Sequence, residues 1–311
     1  MSFSPDLSRR LSGGGFILAG VTLVAIGYGF TTGRNALEVG APLQAVGSIA
    51  FCVITLLTKR NPFRRYPRVM WLWISLLAVG NAAVACLYPF AVDRLTLGTV
   101  AAVVQIGYYS VGLREIWRLR ATSWGFQNLT GRLLLVGGVV MLNRPSPGEL
   151  VGMLGALLCA LGVWNTLTML GQMRKHALED QGAAVANLLA TLLLFPVVFA
   201  VRGRGWMSWD LLSVAAPAGL LTLAVPILLT NAALRRTSKS DVGIAQSFSA
   251  PINALVALAG STLGLLDSDQ RLHLFPGWAA IALITFVAIR MSLLRKPADG
   301  EVRARAQSSG A

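Results

Sequence analysis

Along the chain, apolar stretches alternate with short polar or basic connections about ten times. Crossing a bilayer takes roughly 20 apolar residues in a helix. The pattern therefore predicts ten membrane helices, over 14–31, 37–57, 69–91, 95–113, 133–142, 150–170, 183–201, 211–234, 242–265 and 276–294. The fifth is short unless it begins inside the preceding segment, near Phe126. Only Val92, Asp93 and Arg94 separate the third and fourth spans, which predicts an antiparallel pair. Prolines fall inside several spans: Pro196, Pro217, Pro226 and Pro251, the last read as a bend that breaks the ninth span and frees a carbonyl. Residues 296–311 are polar and aperiodic and read as a disordered tail.

Polar positions inside the apolar runs are few and periodic. Gln246, Ser249 and Asn253 recur at i, i+3 and i+7, which places them on one helix face. Gln105, Tyr108 and Tyr109 cluster near the middle of the fourth span, with Asn81 at similar depth in the third. In the sixth span Trp164 is followed by Asn165, Thr168 and Gln172, the last three on one face. Such groups are costly in hydrocarbon, so they should face protein or a wet cavity. Two readings stay open. They line a solute-binding cavity, with Asn81, Gln105, Tyr108, Tyr109, Trp164, Asn165, Gln246, Ser249 and Asn253 as the candidate wall, or they bond only to one another between helices. Asn187 and Asn231, nearer the helix ends, read as structural.

Composition agrees with a polytopic membrane protein: 55% of the 311 residues are hydrophobic and 13% charged. The net charge of +14 would suggest nucleic acid in a soluble chain. With a cytoplasmic N-terminus, however, 21 of the Lys and Arg residues fall on the inner side of ten spans and 6 on the outer side. Basicity is then topology, both termini are cytoplasmic, and nucleic acid is excluded as a partner. All thirteen carboxylates, and His176 and His273, fall in loops, tails or helix ends, so no proton relay through a buried acid is legible. Asp241, at the start of the ninth span, is the nearest exception. The three cysteines, Cys52, Cys86 and Cys159, lie inside spans and make no disulfide or metal pattern. No hydrolase or metalloprotease motif occurs, so no enzyme, cofactor or metal is expected. The Asn128-Leu-Thr130 sequon falls on the inner side and is discounted.

A weak internal duplication is visible. AVDRLTLGTVAAVVQIGYYSVGL from Ala91 resembles ALRRTSKSDVGIAQSFSAPINAL from Ala233, 142 residues later. Five spans per half is odd, so the second half enters the membrane inverted, a recurrent transporter plan. ALRRTSKSDVGIAQSFSAPINALVALAGSTLG is similar to a segment of the EamA-type drug/metabolite transporter superfamily, and LYPFAVDRLTLGTVAAVVQIGYYSVGL to its threonine/homoserine exporter branch. Tyr108 replaces a proline of that branch, and Leu266-Asp267 a frequent Gly-Glu. The resemblance implies an all-α integral membrane fold of ten helices in two inverted five-helix repeats. The first repeat takes 14–146 and the second 147–295, flanked by an N-terminal segment, 1–13, and the tail. It also implies that Trp164 faces a central cavity. The expected function is export of small polar metabolites, most plausibly amino acids, across a bacterial inner membrane by alternating access. Efflux of lipophilic drugs is the alternative within the class, and a non-transporting scaffold or membrane enzyme the alternative outside it. The partners are a small-molecule solute and the lipid bilayer, with a homodimer left open.

Overall fold

The computed structural model describes residues 5–29, 31, 35–58, 60–111, 113–118, 120, 122–142, 147–203, 208–237, 242, 245–264 and 275–293. Among these every regular element is helical. The helices are α1 (Pro5–Gly29), α2 (Ala36–Leu57), α3 (Arg68–Val92), α4 (Leu97–Ser110), α5 (Leu113–Arg118), α6 (Ser123–Leu142), α7 (Pro147–Arg174), α8 (Glu179–Arg202), α9 (Trp209–Gly219), α10 (Val225–Arg236), α11 (Ser249–Thr262) and α12 (Phe275–Leu293). Among the described residues, six segments are long and apolar enough to cross a membrane: α1, α2, α3, α7, α8, and α9 with α10 as one rod. The protein is membrane-embedded, and all-helical over its described residues.

Local chemistry explains where helices bend. Between α9 and α10, Leu220–Ala224 form a single π-helical turn, and the Val225 N–H donates to Leu220 O. Pro226 follows directly at the start of α10 and has no N–H for the preceding turn, so the widened turn absorbs the defect without ending the rod. Pro251 behaves differently from the sequence expectation. A 3₁₀ turn at Gln246–Phe248 precedes α11, and Pro251 stands in the first turn of that helix. There its missing donor leaves no internal bond unmade, so it starts a helix instead of kinking one.

Two boundaries also move. α6 begins at Ser123, ten residues ahead of the expected start, which carries Arg132 into a helix. α4 stops at Ser110, where Val111 turns to extended geometry, and α5 is a separate short helix.

Packing relies on small residues, as expected where lipid removes the hydrophobic drive between helices. α7 lies against α3 and α4, α1 against the α9–α10 rod and α11, α8 against α2 and α3, α2 against α9, α4 against α11, and α6 against α12. At the α3–α7 crossing, a methyl on Gly162 would stand 2.6 Å from Val84 Cγ2 and 3.1 Å from Gly80 O. At the α4–α7 crossing, a methyl on Gly107 would overlap Ala160 O. The outer stripe of α7 is Leu150, Leu154, Leu157, Leu161 and Trp164, all exposed on a helix whose other side is packed. These helices leave a space between them.

Candidate functional site

A cavity of about 180 Å³ lies at the centre of the bundle, walled by α1, α2, α3, α4, α7, α8, the α9–α10 rod and the start of α11. Its described lining contains no Asp, Glu, Lys, Arg or His. Much of the wall is aliphatic, including Val24, Leu43, Val104, Leu167, Leu223 and Ile227. Three phenols, Tyr28, Tyr88 and Tyr108, add aromatic surface, and Tyr28 stacks on Tyr88 with centroids 4.0 Å apart and planes at 20°.

Polar groups enter the wall in two clusters. The first joins four helices through Asn187 of α8. Gln44 Nε2 donates to Asn187 Oδ1 at 3.1 Å, Asn81 Nδ2 donates to the same oxygen at 2.8 Å, and Ser48 Oγ donates to Asn187 O at 2.9 Å. Thr166 of α7 donates to Asn81 Oδ1 at 3.0 Å, and Asn187 Nδ2 returns to Ala183 O at 2.9 Å. Asn187 is fully buried, and its bonds reach α2 and α3 directly and α7 through Asn81.

The second cluster ties α4 to α11. Gln105 Nε2 donates to Ser249 Oγ, and Asn253 Nδ2 donates to Ser249 O at 2.7 Å. Two oxygens here, Gln105 Oε1 and Asn253 Oδ1, are buried with no hydrogen-bond partner among the described residues. An unmet buried acceptor costs about 1–3 kcal/mol.

Of the candidate residues, Asn81, Gln105, Tyr108, Gln246, Ser249 and Asn253 come together around the cavity. Tyr109, Trp164 and Asn165 do not. One residue on from Tyr108, Tyr109 is turned about 100° around the helix; it is buried, and its carbonyl accepts from Arg132 Nη1. Trp164 is 42% exposed on the outer stripe of α7, opposite the Thr166 and Leu170 that reach the cavity. Asn165 is a packing residue: its Nδ2 donates to Leu76 O at 2.6 Å across the α3–α7 contact.

The sequence reading missed Gln44, Ser48 and Thr166, and took Asn187 as structural. A signal existed for Gln44 and Ser48, an i, i+4 polar pair in a span of high hydropathy. Thr166 lay hidden beside Asn165.

At the end of the bundle where α8 begins, a second polar assembly closes the rods together. Glu179 and Asp180 are each 5% exposed, Asn231 Nδ2 donates to Asp180 Oδ1 at 2.7 Å, and both Arg235 and Arg60 pair with Asp180. Both acids stand at a helix end, where the sequence places them, but they are buried there by the neighbouring rods. Asp241 lies outside the described residues.

No family model matches the chain, and no curated protein matches it. A solved crystal structure superposes with a TM-score of 0.62 at 17% identity, covering 92% of this chain and 98% of the other. At that identity the likeness concerns the fold alone.

Proposed function

We propose that the protein is a secondary transporter of small uncharged or zwitterionic solutes, amino acids foremost, built on the EamA-type drug/metabolite transporter plan. The observation that carries this reading is a central cavity whose described lining bears no charged side chain, with hydrogen-bonding clusters on facing helices. Mostly apolar walls with a few placed polar groups suit a small organic solute. A solute with net charge would meet no counter-charge in the described wall, and burying an uncompensated charge is expensive. A cationic drug is thereby disfavoured.

Ten spans are obtained by adding α4, α6, α11 and α12 to the six long rods. The packing pattern supports a division into two halves of five. Exchanging α1, α2, α3, α4 and α6 with α7, α8, the α9–α10 rod, α11 and α12 turns the contact α3–α7 into α1–α10, α4–α7 into α1–α11 and α3–α8 into α2–α9. The contacts α2–α8, α4–α11 and α6–α12 map onto themselves. An odd number of spans per half makes the repeats inverted, with the site at their interface. The basic loops then face the cytoplasm.

The test is counterflow of radiolabelled neutral, acidic and basic amino acids, and of a lipophilic cation, in proteoliposomes holding the purified chain. Exchange of a neutral amino acid with none of the cation supports the reading. Exchange of the cation alone overturns it in favour of drug efflux, and no exchange of any solute removes transport of these classes.

A further inference from the structure

The amides of the cavity wall are not balanced between donors and acceptors. Five of them, Gln44, Asn81, Gln105, Asn187 and Asn253, already direct their NH₂ groups at protein oxygens. Where α4 meets α11, the buried side-chain atoms left unmet among the described residues are oxygens. Among the described residues Gln105 Oε1 and Asn253 Oδ1 have no partner, on side chains that are 2% and 1% exposed. The orientation of Asn253 follows from its contact at 2.7 Å with Ser249 O, a carbonyl that only a donor can meet. Both side chains hang on the same residue, Ser249, so the two orphan oxygens belong to one patch where α4 meets α11.

We infer that this patch is the docking point for the ammonium group of the solute. The inference rests on the transport reading above and gives the solute an orientation within the cavity. An ammonium offers three donors and no acceptor, so it adds no new unmet oxygen to a patch that already holds two. A hydroxyl would bring lone pairs of its own, and a carboxylate would bring only acceptors. Charge-assisted bonds to neutral oxygens are roughly twice as strong as neutral ones, which favours the cationic donor further. The oxygens are covered in this conformation. A side-chain torsion that turns them to the solute replaces two unmet acceptors with two met ones, so binding relieves a defect of the empty state. Because the described lining supplies no carboxylate, the solute carries its own counter-charge, and the phenols of Tyr28, Tyr88 and Tyr108 and the amide of Gln246 are donors on the wall that can meet it.

Competition against radiolabelled L-leucine on the purified full chain tests this. The competitors are unlabelled L-leucine, leucinamide, which keeps the amine, and 2-hydroxy-4-methylpentanoate, which has a hydroxyl in its place. In the wild type the hydroxy acid should bind about ten-fold or more weakly than leucine, the size of one charge-assisted bond. Asn253→Leu and Gln105→Leu should each narrow that gap. Asn253→Asp, which keeps the acceptor and adds charge, should shift preference from leucine toward leucinamide and serves if the leucine variants do not fold. Binding of the hydroxy acid within about two-fold of leucine, or a gap unchanged in every variant, overturns the ammonium site while leaving the transport reading intact. Failure of all three probes to bind overturns the ammonium site and the amino-acid reading together.

Discussion

Arg235, in the last turn of the α9–α10 rod, holds Glu179, the first residue of α8, with Nε 2.9 Å from Oε1. The same guanidinium pairs with Asp180, which also takes Arg60 from the segment after α2 and the amide of Asn231. Asn231 is adjacent to Thr230, a cavity residue, so the cluster closes the bundle just beyond the candidate site. The arginines are 37% and 39% exposed while the acids are 7% and 6%, a solvated cation facing a buried anion. Arg235→Leu should therefore lower stability by about 1–3 kcal/mol, mainly by leaving buried carboxylates short of a partner. Thermal unfolding in detergent checks this. In the Arg235→Leu background, Asp180→Asn should recover part of the loss, since it removes the stranded charge.

Arg132 is buried inside α6, where its guanidinium meets Tyr109 O and, at 3.1 Å, Val111 O, while Nε donates to Asn128 Oδ1 at 3.0 Å. These carbonyls end α4, so the cation satisfies the terminal groups and the dipole of a short helix that carries Gln105 and Tyr108. Arg132→Leu should destabilise by about 2–3 kcal/mol. Arg132→Lys should recover little, because a point charge on a flexible stem cannot reproduce the planar fork. Thermal midpoints of the two variants against wild type decide the matter.

Two glycines with opposite surroundings test the packing. Gly107→Ala places a methyl on Ala160 O and should force α4 from α7, with a large loss of folded yield. Gly137→Ala on α6 meets nothing within 4 Å and should be neutral or stabilise by up to about 1 kcal/mol through helix propensity. Size-exclusion profiles and thermal midpoints separate the two outcomes.

Placement around the cavity predicts a contrast in transport. Asn187→Leu removes the acceptor shared by Gln44 and Asn81 and should reduce solute exchange at least about ten-fold, the effect of one to two buried hydrogen bonds. Trp164→Ala, on the outer stripe, should leave exchange within about two-fold of wild type. Counterflow rates at equal protein content measure both.

Much of this architecture is written in local chemistry. A run of apolar residues longer than a bilayer is thick can only be a helix, because every backbone group must be satisfied within the segment. The regular spacing of Gln246, Ser249 and Asn253 likewise foretold a shared face, and the three residues do share the cavity wall. Trp164 misled because its own helix has two sides, and sequence alone cannot say which of them lipid covers. Arg132 and Asp180 misled for a related reason: a charged residue near a span end looks solvated until a neighbouring helix is laid over it.

The sequence by itself determined that the chain is helical and membrane-embedded, with polar positions gathered on particular faces. These follow from the solvation of the backbone and the 3.6-residue period, which are properties of a single segment. Only the tertiary structure decided which faces meet around a cavity, that the cluster on Asn187 joins four helices there, and that Glu179 and Asp180 are buried beneath two arginines. Those facts depend on where small residues let rods approach, and the contacts are made by residues 51 to 143 positions apart, whose meeting no local pattern records.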